Sequence, residues 1–256
     1  MKLDRSMLVL GAGLVLVSGC ASTSHNGHGI LYGCDGSGAG VVIRWGRSAN
    51  MGLRDGGYKG LIQPYRWQTG MGAVVDHMSG QNYKRRIAKG LAKQVADHRM
   101  RYPDDPIYLA GLSAGSAVVL YALEELPQNV AVDQVLLLSS SVSADYDLSE
   151  ALQHVRGKLY AFTSQKDAVL NQLVSTVGTA DGKSAGTDIS GLRGFRAPSG
   201  TGASVQELYR SKVRNIAWRQ EFAQYGHRGG HTHVTASAFV ARYVAPLLVA
   251  APGGAR

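Results

Sequence analysis

The amino-acid sequence predicts an α/β domain, with about six mostly parallel strands and helices on both faces of the sheet. Three observations predict it. Short β-rich apolar runs alternate along the 256 residues with longer stretches of helical character, the order that builds parallel sheets from strand–helix units. Some of these runs, such as VLLL at 135–138, are apolar without alternation, as a strand covered on both faces must be. A serine also sits between two glycines, in GLSAG at 111–115, where an apolar strand gives way to an apolar helix.

The first nineteen residues stand outside that domain. MKLDRSMLVLGAGLVLVSGC has a charged start with Lys2 and Arg5, then an apolar run from Met7 to Val17. The run is too short for a bilayer, which takes ~20 apolar residues, but it suits an export signal. The ending LVSGC resembles the bacterial lipoprotein signal, which implies cleavage after residue 19 and lipid on Cys20. An ordinary signal peptide with an incidental Cys20 is the alternative. Ala21, where an Asp would favour inner-membrane retention, points to the outer membrane, facing the periplasm, if the envelope is Gram-negative. Residues 20–27 then read as a polar tether and 28–250 as a single domain, long enough to bury a full core.

The expected strands and helices follow in order. HGILYG (28–33) and YKGLIQPYRW (58–67) read as strands with a helix near 41–54 between them, and NYKRRIAKGLAKQVADHRMRY (82–102) as an amphipathic helix closed by Pro103. PIYLAG (106–111) is the third strand and SAVVLYALEEL (116–126) its helix. DQVLLLSSSV (133–142), GKLYAFTS (157–164) and VRNIAWRQEF (213–222) supply the other three strands. TASAFVARYVAPLL (235–248) is the last helix, its regular part ended by Pro246. The segment 174–205, with seven glycines, is too long for an ordinary connection and reads as a functional loop near the cleft or as a loosely ordered one.

Composition narrows the function classes. The 27 Lys and Arg against 18 Asp and Glu give a formal net charge of +9. The basic residues are scattered without a basic–aromatic cluster, so nucleic acid is not an expected partner. With Cys20 lipidated, Cys34 has no partner for a disulfide and reads as a small buried residue. Trp45, Trp67 and Trp218 read as core or cleft wall. His77, beside Asp76, precedes the serine and reads as a surface residue.

The chemistry centres on Ser113. A sharp strand-to-helix turn in G-x-S-x-G pushes the serine Oγ out above the sheet, glycines on either side allow the close approach, and the helix N-terminus favours developing negative charge. Here the chain resembles the α/β-hydrolase superfamily of serine esterases and lipases, in its compact form without the extra antiparallel strands of larger members. The resemblance implies the chain order serine, acid, histidine. Asp167, just beyond the strand LYAFTS, is the expected acid, with helix N-capping as its other reading and Asp145 as the substitute. YGHRGGHTHV offers three bases; His231, after a Gly-Gly pair, is preferred over His227 and His233. The backbone N–H of Ala114 and one from Asp35 or Gly36, in the loop YGCDGSGAG, are the expected oxyanion donors.

The histidine spacing H-x3-H-x-H also resembles a zinc ligand set, but glycines between the histidines leave no helical face to organise them, and zinc would leave Ser113 without a role; no metal and no cofactor is expected. The Gly36–Gly38 pair fails as a dinucleotide loop because position 41 is Val41. The expected activity is acyl transfer from a small-molecule or lipid ester, on a protein held to the membrane by its lipid. A non-catalytic binding lipoprotein on the same fold stays open, as do amide, thioester and acyltransferase chemistry on the same triad.

Overall fold

Six strands form the framework: Ile30–Cys34 (β1), Leu61–Tyr65 (β2), Ile107–Leu112 (β3), Gln134–Leu138 (β4), Leu159–Thr163 (β5) and Val213–Ala217 (β6). The computed structural model describes residues 27–38 and 45–249. The signal-like segment, Cys20 and nearly all of the tether lie outside them. Every strand pairing is parallel, in the order β2-β1-β3-β4-β5-β6.

The alternation within each strand explains the two cores. Ile30, Tyr32 and Cys34 of β1, Ile107 and Leu109 of β3, and Val135 and Leu137 of β4 face one hydrophobic cluster. Leu31, Tyr108, Ala110, Leu112, Leu136 and Leu138 face the other. Successive side chains of a strand point to opposite faces, so a sheet covered on both sides needs apolar residues at nearly every position. Cys34 is fully buried, and burial pushes its thiol pKa far up, away from nucleophilic use.

The helices are Trp45–Asp55 (α1), Ala73–Met78 (α2), Gln81–Arg101 (α3), Gly115–Glu124 (α4), Ser149–Gln153 (α5), Ser175–Val177 (α6), Ser190–Arg193 (α7), Ala203–Lys212 (α8), Ser237–Phe239 (α9) and Pro246–Val249 (α10). The first face is covered by α3 and α4, whose packed residues include Leu91, Val95, Val118 and Leu120. The second is covered by α1 and the C-terminal segments through Leu53, Phe239, Val240 and Leu248. Among the described residues no helix is long and apolar enough to cross a membrane.

Several elements differ from the sequence reading, among them the strand read over 213–222, which ends at Ala217. The last helix is not one rod: α9 runs into a wide π-turn over Val240–Val244, and Pro246 opens α10 instead of ending the regular part. Proline has no N–H and its ring crowds the carbonyl four residues back. The wide turn relieves that crowding, with Ala245 N–H donating to Val240 O, five residues back, at 2.8 Å. The β5–β6 crossover carries the short α6 and α7 and the longer α8, whose start at Ala203 falls inside the Gly-rich segment. Part of that segment is packed against the loop after β4. Ala180, Ile189 and Ser190 are buried, and it is laced to the loop after β4 through Ala180 N–H to Ser141 O at 2.9 Å and Gly191 N–H to Ser140 O at 2.8 Å.

The topology fixes where a site belongs. From β1 the chain moves outward to β2, then crosses back over β1 to β3 and continues the other way. Ligands of open parallel sheets bind at such a reversal, outside the carboxyl ends of the strands. Here those ends are the loop after Cys34 and the turn at Ser113.

Candidate active site

The turn at Ser113 is strained. Its φ of 53° is one of two positive values among the described non-glycine residues, a conformation that costs a residue with a Cβ on the order of 1–3 kcal/mol. The surroundings hold it there. Ser113 N–H donates to Leu138 O at 3.0 Å, and Ser113 O accepts from Ser116 N–H at 3.1 Å and Ser141 N–H at 3.3 Å. The flanking glycines do separate work. A Cβ on Gly111 would sit 2.7 Å from Ser116 Cα, in the helix that follows, whereas a Cβ on Gly115 would run into the carbonyl oxygens of Cys34 and Asp35. The second glycine therefore lets α4 press against the end of β1. The N–H of Ala114, at the start of α4, makes no hydrogen bond among the described residues, as the first turn of a helix leaves its donors free.

The loop after β1 faces this turn: a Cβ on Gly36 would lie 3.5 Å from Ser113 Cβ. Trp67 Nε1–H donates to Asp35 O at 2.6 Å and Gln68 Nε2 to Gly36 O at 3.0 Å. Gly36 N–H donates to Asp35 Oδ1 at 2.8 Å. Of the expected loop donors, Gly36 thus has its N–H engaged by its neighbour's carboxylate. Ser37, which carried no signal in the sequence, holds its Oγ buried without a partner in the same loop. Trp67 is buried against this loop.

Asp167 and His231 meet beyond the ends of β5 and β6. The Asp167 side chain is fully buried and that of His231 is 14% exposed, with His231 Nδ1 2.7 Å from Asp167 Oδ2. The carboxylate accepts only, so Nδ1 carries the proton and Nε2 is left as the basic nitrogen. Asp167 also caps the following turn, its Oδ1 accepting from Leu170 N–H at 3.0 Å. The two loops are tied by Ser164 Oγ–H donating to Gly229 O at 2.7 Å. Asp145 is exposed in the turn after β4.

The other late histidines have separate surroundings. His233 is exposed, its Nδ1 accepting from Gly230 N–H at 3.2 Å. His227 is buried against the rings of Phe222 and Phe239. Its Nδ1 has no partner, and burial lowers its pKa to about 4. Among the described residues no three His, Cys, Asp or Glu side chains converge as metal ligands.

Asp76 and His77 correct the sequence reading. Both are buried, on the short α2, while Val74, Val75 and Met78 on the same helix are exposed. This helix is inverted, with its polar side inward, so a rule that buries apolar residues misplaces it. Asp76 accepts from Gly38 N–H, Thr69 N–H and Thr69 Oγ–H. His77 Nε2–H donates to Gly178 O at 2.9 Å; burial lowers its pKa, with the Gly178 bond opposing.

A parallel six-stranded sheet in this order, with a strained serine at the carboxyl end of β3, is a compact α/β-hydrolase fold. No family model and no curated protein sequence matches the chain. Among solved structures it is similar to a cutinase-like protein from Cryptococcus sp., with 16% identity over 91% of this chain and 98% of that one and a TM-score of 0.47. A Trichoderma reesei cutinase, solved with a phosphonate inhibitor, shares 16% identity over 86% and 76% of the two chains, with a TM-score of 0.39. A structure from work on two prolyl endopeptidases shares 11% identity, covers 90% of this chain and 36% of that one, and has a TM-score of 0.42.

Proposed function

We propose that this chain is a serine hydrolase that cleaves carboxylic esters through an acyl-enzyme, using Ser113, His231 and Asp167. The observation that supports this most is the 2.7 Å bond between His231 Nδ1 and a fully buried Asp167, in a chain whose Ser113 is held at positive φ at the start of a helix. In this reading His231 Nε2 takes the proton of Ser113 Oγ as it attacks the ester carbonyl. The imidazolium formed is stabilised by Asp167 and returns the proton to the departing alcohol. The oxyanion is met by the N–H of Ala114 and a donor of the 35–37 loop. Water, deprotonated by the same imidazole, then releases the acid.

The exposed Met71, Val74, Val75 and Met78 beside this loop favour esters with aliphatic chains, since exposed apolar patches mark places where apolar surface is buried on binding. Cys20 carries lipid in this reading and holds the protein in the cell envelope, at the outer membrane if the envelope is Gram-negative.

A fluorophosphonate probe tests the chemistry. The purified protein should label on Ser113, and Ser113→Ala should neither label nor turn over short p-nitrophenyl esters, with a rate loss on the order of 10⁴-fold or more. Undiminished turnover by Ser113→Ala, or a wild type that does not label, overturns the assignment.

A further inference from the structure

We propose that Asp76 is a positioning residue of the oxyanion loop, clamping the segment that faces Ser113 onto α2. The inference rests on the serine-hydrolase reading above and adds to it the group that fixes where the loop's donors point.

Asp76 is a carboxylate at 1% exposure, and nothing in the triad uses it. Its Oδ2 accepts from Gly38 N–H at 2.8 Å, while Oδ1 accepts from Thr69 N–H at 2.7 Å and Thr69 Oγ–H at 2.5 Å. Three bonds join α2, the stretch at Thr69 between β2 and α2, and the loop after β1. Such charge-assisted bonds in a dry setting are stronger and geometrically tighter than neutral ones. Gly38 has φ 76° and packs so closely that a Cβ there would lie 2.8 Å from Ala73 Cβ at the start of α2. Two residues upstream, Gly36 faces Ser113. The path from Asp76 to the nucleophile is therefore one hydrogen bond and a two-residue turn.

The helix carrying Asp76 is itself fixed. Lys84, buried in α3, donates Nζ–H to His77 O at 2.8 Å and Ser79 O at 2.5 Å, which satisfies the end carbonyls of α2 with a positive charge. His77 ties the same helix to Gly178. A buried carboxylate on a helix pinned at its end holds a loop in register, and oxyanion stabilisation is sensitive to that register, because donors must meet the oxyanion at hydrogen-bond distance.

Asp76→Asn is the informative change. It keeps shape and the capacity to accept from Thr69, but places an amide N–H₂ against the Gly38 N–H, a donor facing a donor. The expected result is a fall in kcat of about 10- to 100-fold with KM within about twofold. Affinity for an aliphatic trifluoromethyl ketone should fall in parallel. That compound adds Ser113 Oγ to its carbonyl carbon, sends the hydroxyl proton to His231 and leaves an oxyanion in the hole. A merely structural role would lower the melting temperature without this split. Gly38→Ala, which pushes the same loop off Ala73 without touching the carboxylate, is the second variant and decides the matter if Asp76→Asn does not fold. Folded variants with wild-type kcat and wild-type ketone affinity overturn the clamp while leaving the hydrolase reading intact. A wild type that neither hydrolyses esters nor binds the ketone overturns both.

Discussion

At the scale of single residues, the pairing of Asp167 with His231 carries a sharp consequence. Asp167 uses Oδ1 on Leu170 N–H and Oδ2 on His231. An Asp167→Asn change keeps the cap through its remaining oxygen but offers His231 Nδ1 a donor in place of an acceptor. In the proposed mechanism the imidazole then switches tautomer and turns an N–H toward the position from which it would accept a proton. The expected outcome is a loss of kcat of about 10³- to 10⁴-fold with a melting temperature close to wild type, measured on the same short ester. His233→Ala should leave kcat within about threefold, since among the described residues that ring bonds its own turn and sits exposed; a collapse there instead would move the base to His233. The candidate residues were visible in the sequence to the extent that chemistry leaves local marks. Ser113 was marked by its two glycines, and Asp167 and His231 by their places after a strand and after a Gly-Gly pair. Asp76 and His77 left no such mark, because what sets them apart is contact with Gly38 and Gly178, which no local pattern encodes.

At the scale of elements, the strands were the readable part and the C-terminal third the hard one. The central strands were announced by their apolar runs, since a doubly covered sheet tolerates few polar positions, whereas the edge strands β2 and β6, LIQPY and VRNIA, carry polar and partly exposed residues. The π-turn before Pro246 and the inverted α2 arise from a proline's local sterics and from a polar tertiary partner, against which a hydrophobic period is silent. The aromatic cluster of Phe222, His227, Phe239 and Tyr243 makes a prediction about pH. Burial holds the His227 pKa at about 4, below its ordinary 6.5. Between those values the unfolded chain binds a proton that the folded protein refuses. The stability His227 confers is therefore fully present above about pH 6.5 and is lost progressively as pH falls toward 4, by up to about 3 kcal/mol. His227→Phe removes the titrating group and suits the apolar surroundings. It should reduce the drop in melting temperature between pH 7.5 and pH 5 by about 4–8 °C relative to wild type. An unchanged drop would mean that this ring is already protonated or solvated in the folded protein.

At the scale of the whole molecule, the parallel sheet separates two ends. Residues 27–29 enter at the amino edge, where Ile30 N–H bonds Pro106 O. Ser113, Asp167 and the His231 loop stand at the carboxyl edge, about 17 Å away across five-residue strands. A lipid on Cys20, at the far end of a tether that reaches at most about 29 Å, would therefore pull from the side opposite the site. Anchoring then leaves the site open to water. The wild type in vesicles and an unlipidated Cys20→Ser protein in solution should hydrolyse a water-soluble short-chain ester with kcat/KM values within about twofold, and only the first should float with the vesicles. The loop after β1 faces Ser113 and packs on α2 through Gly38 and Ala73. A vesicle-bound form slowed tenfold or more on that soluble ester, with unchanged labelling once detergent releases it, would place the carboxyl edge against the bilayer and refute the opposed arrangement.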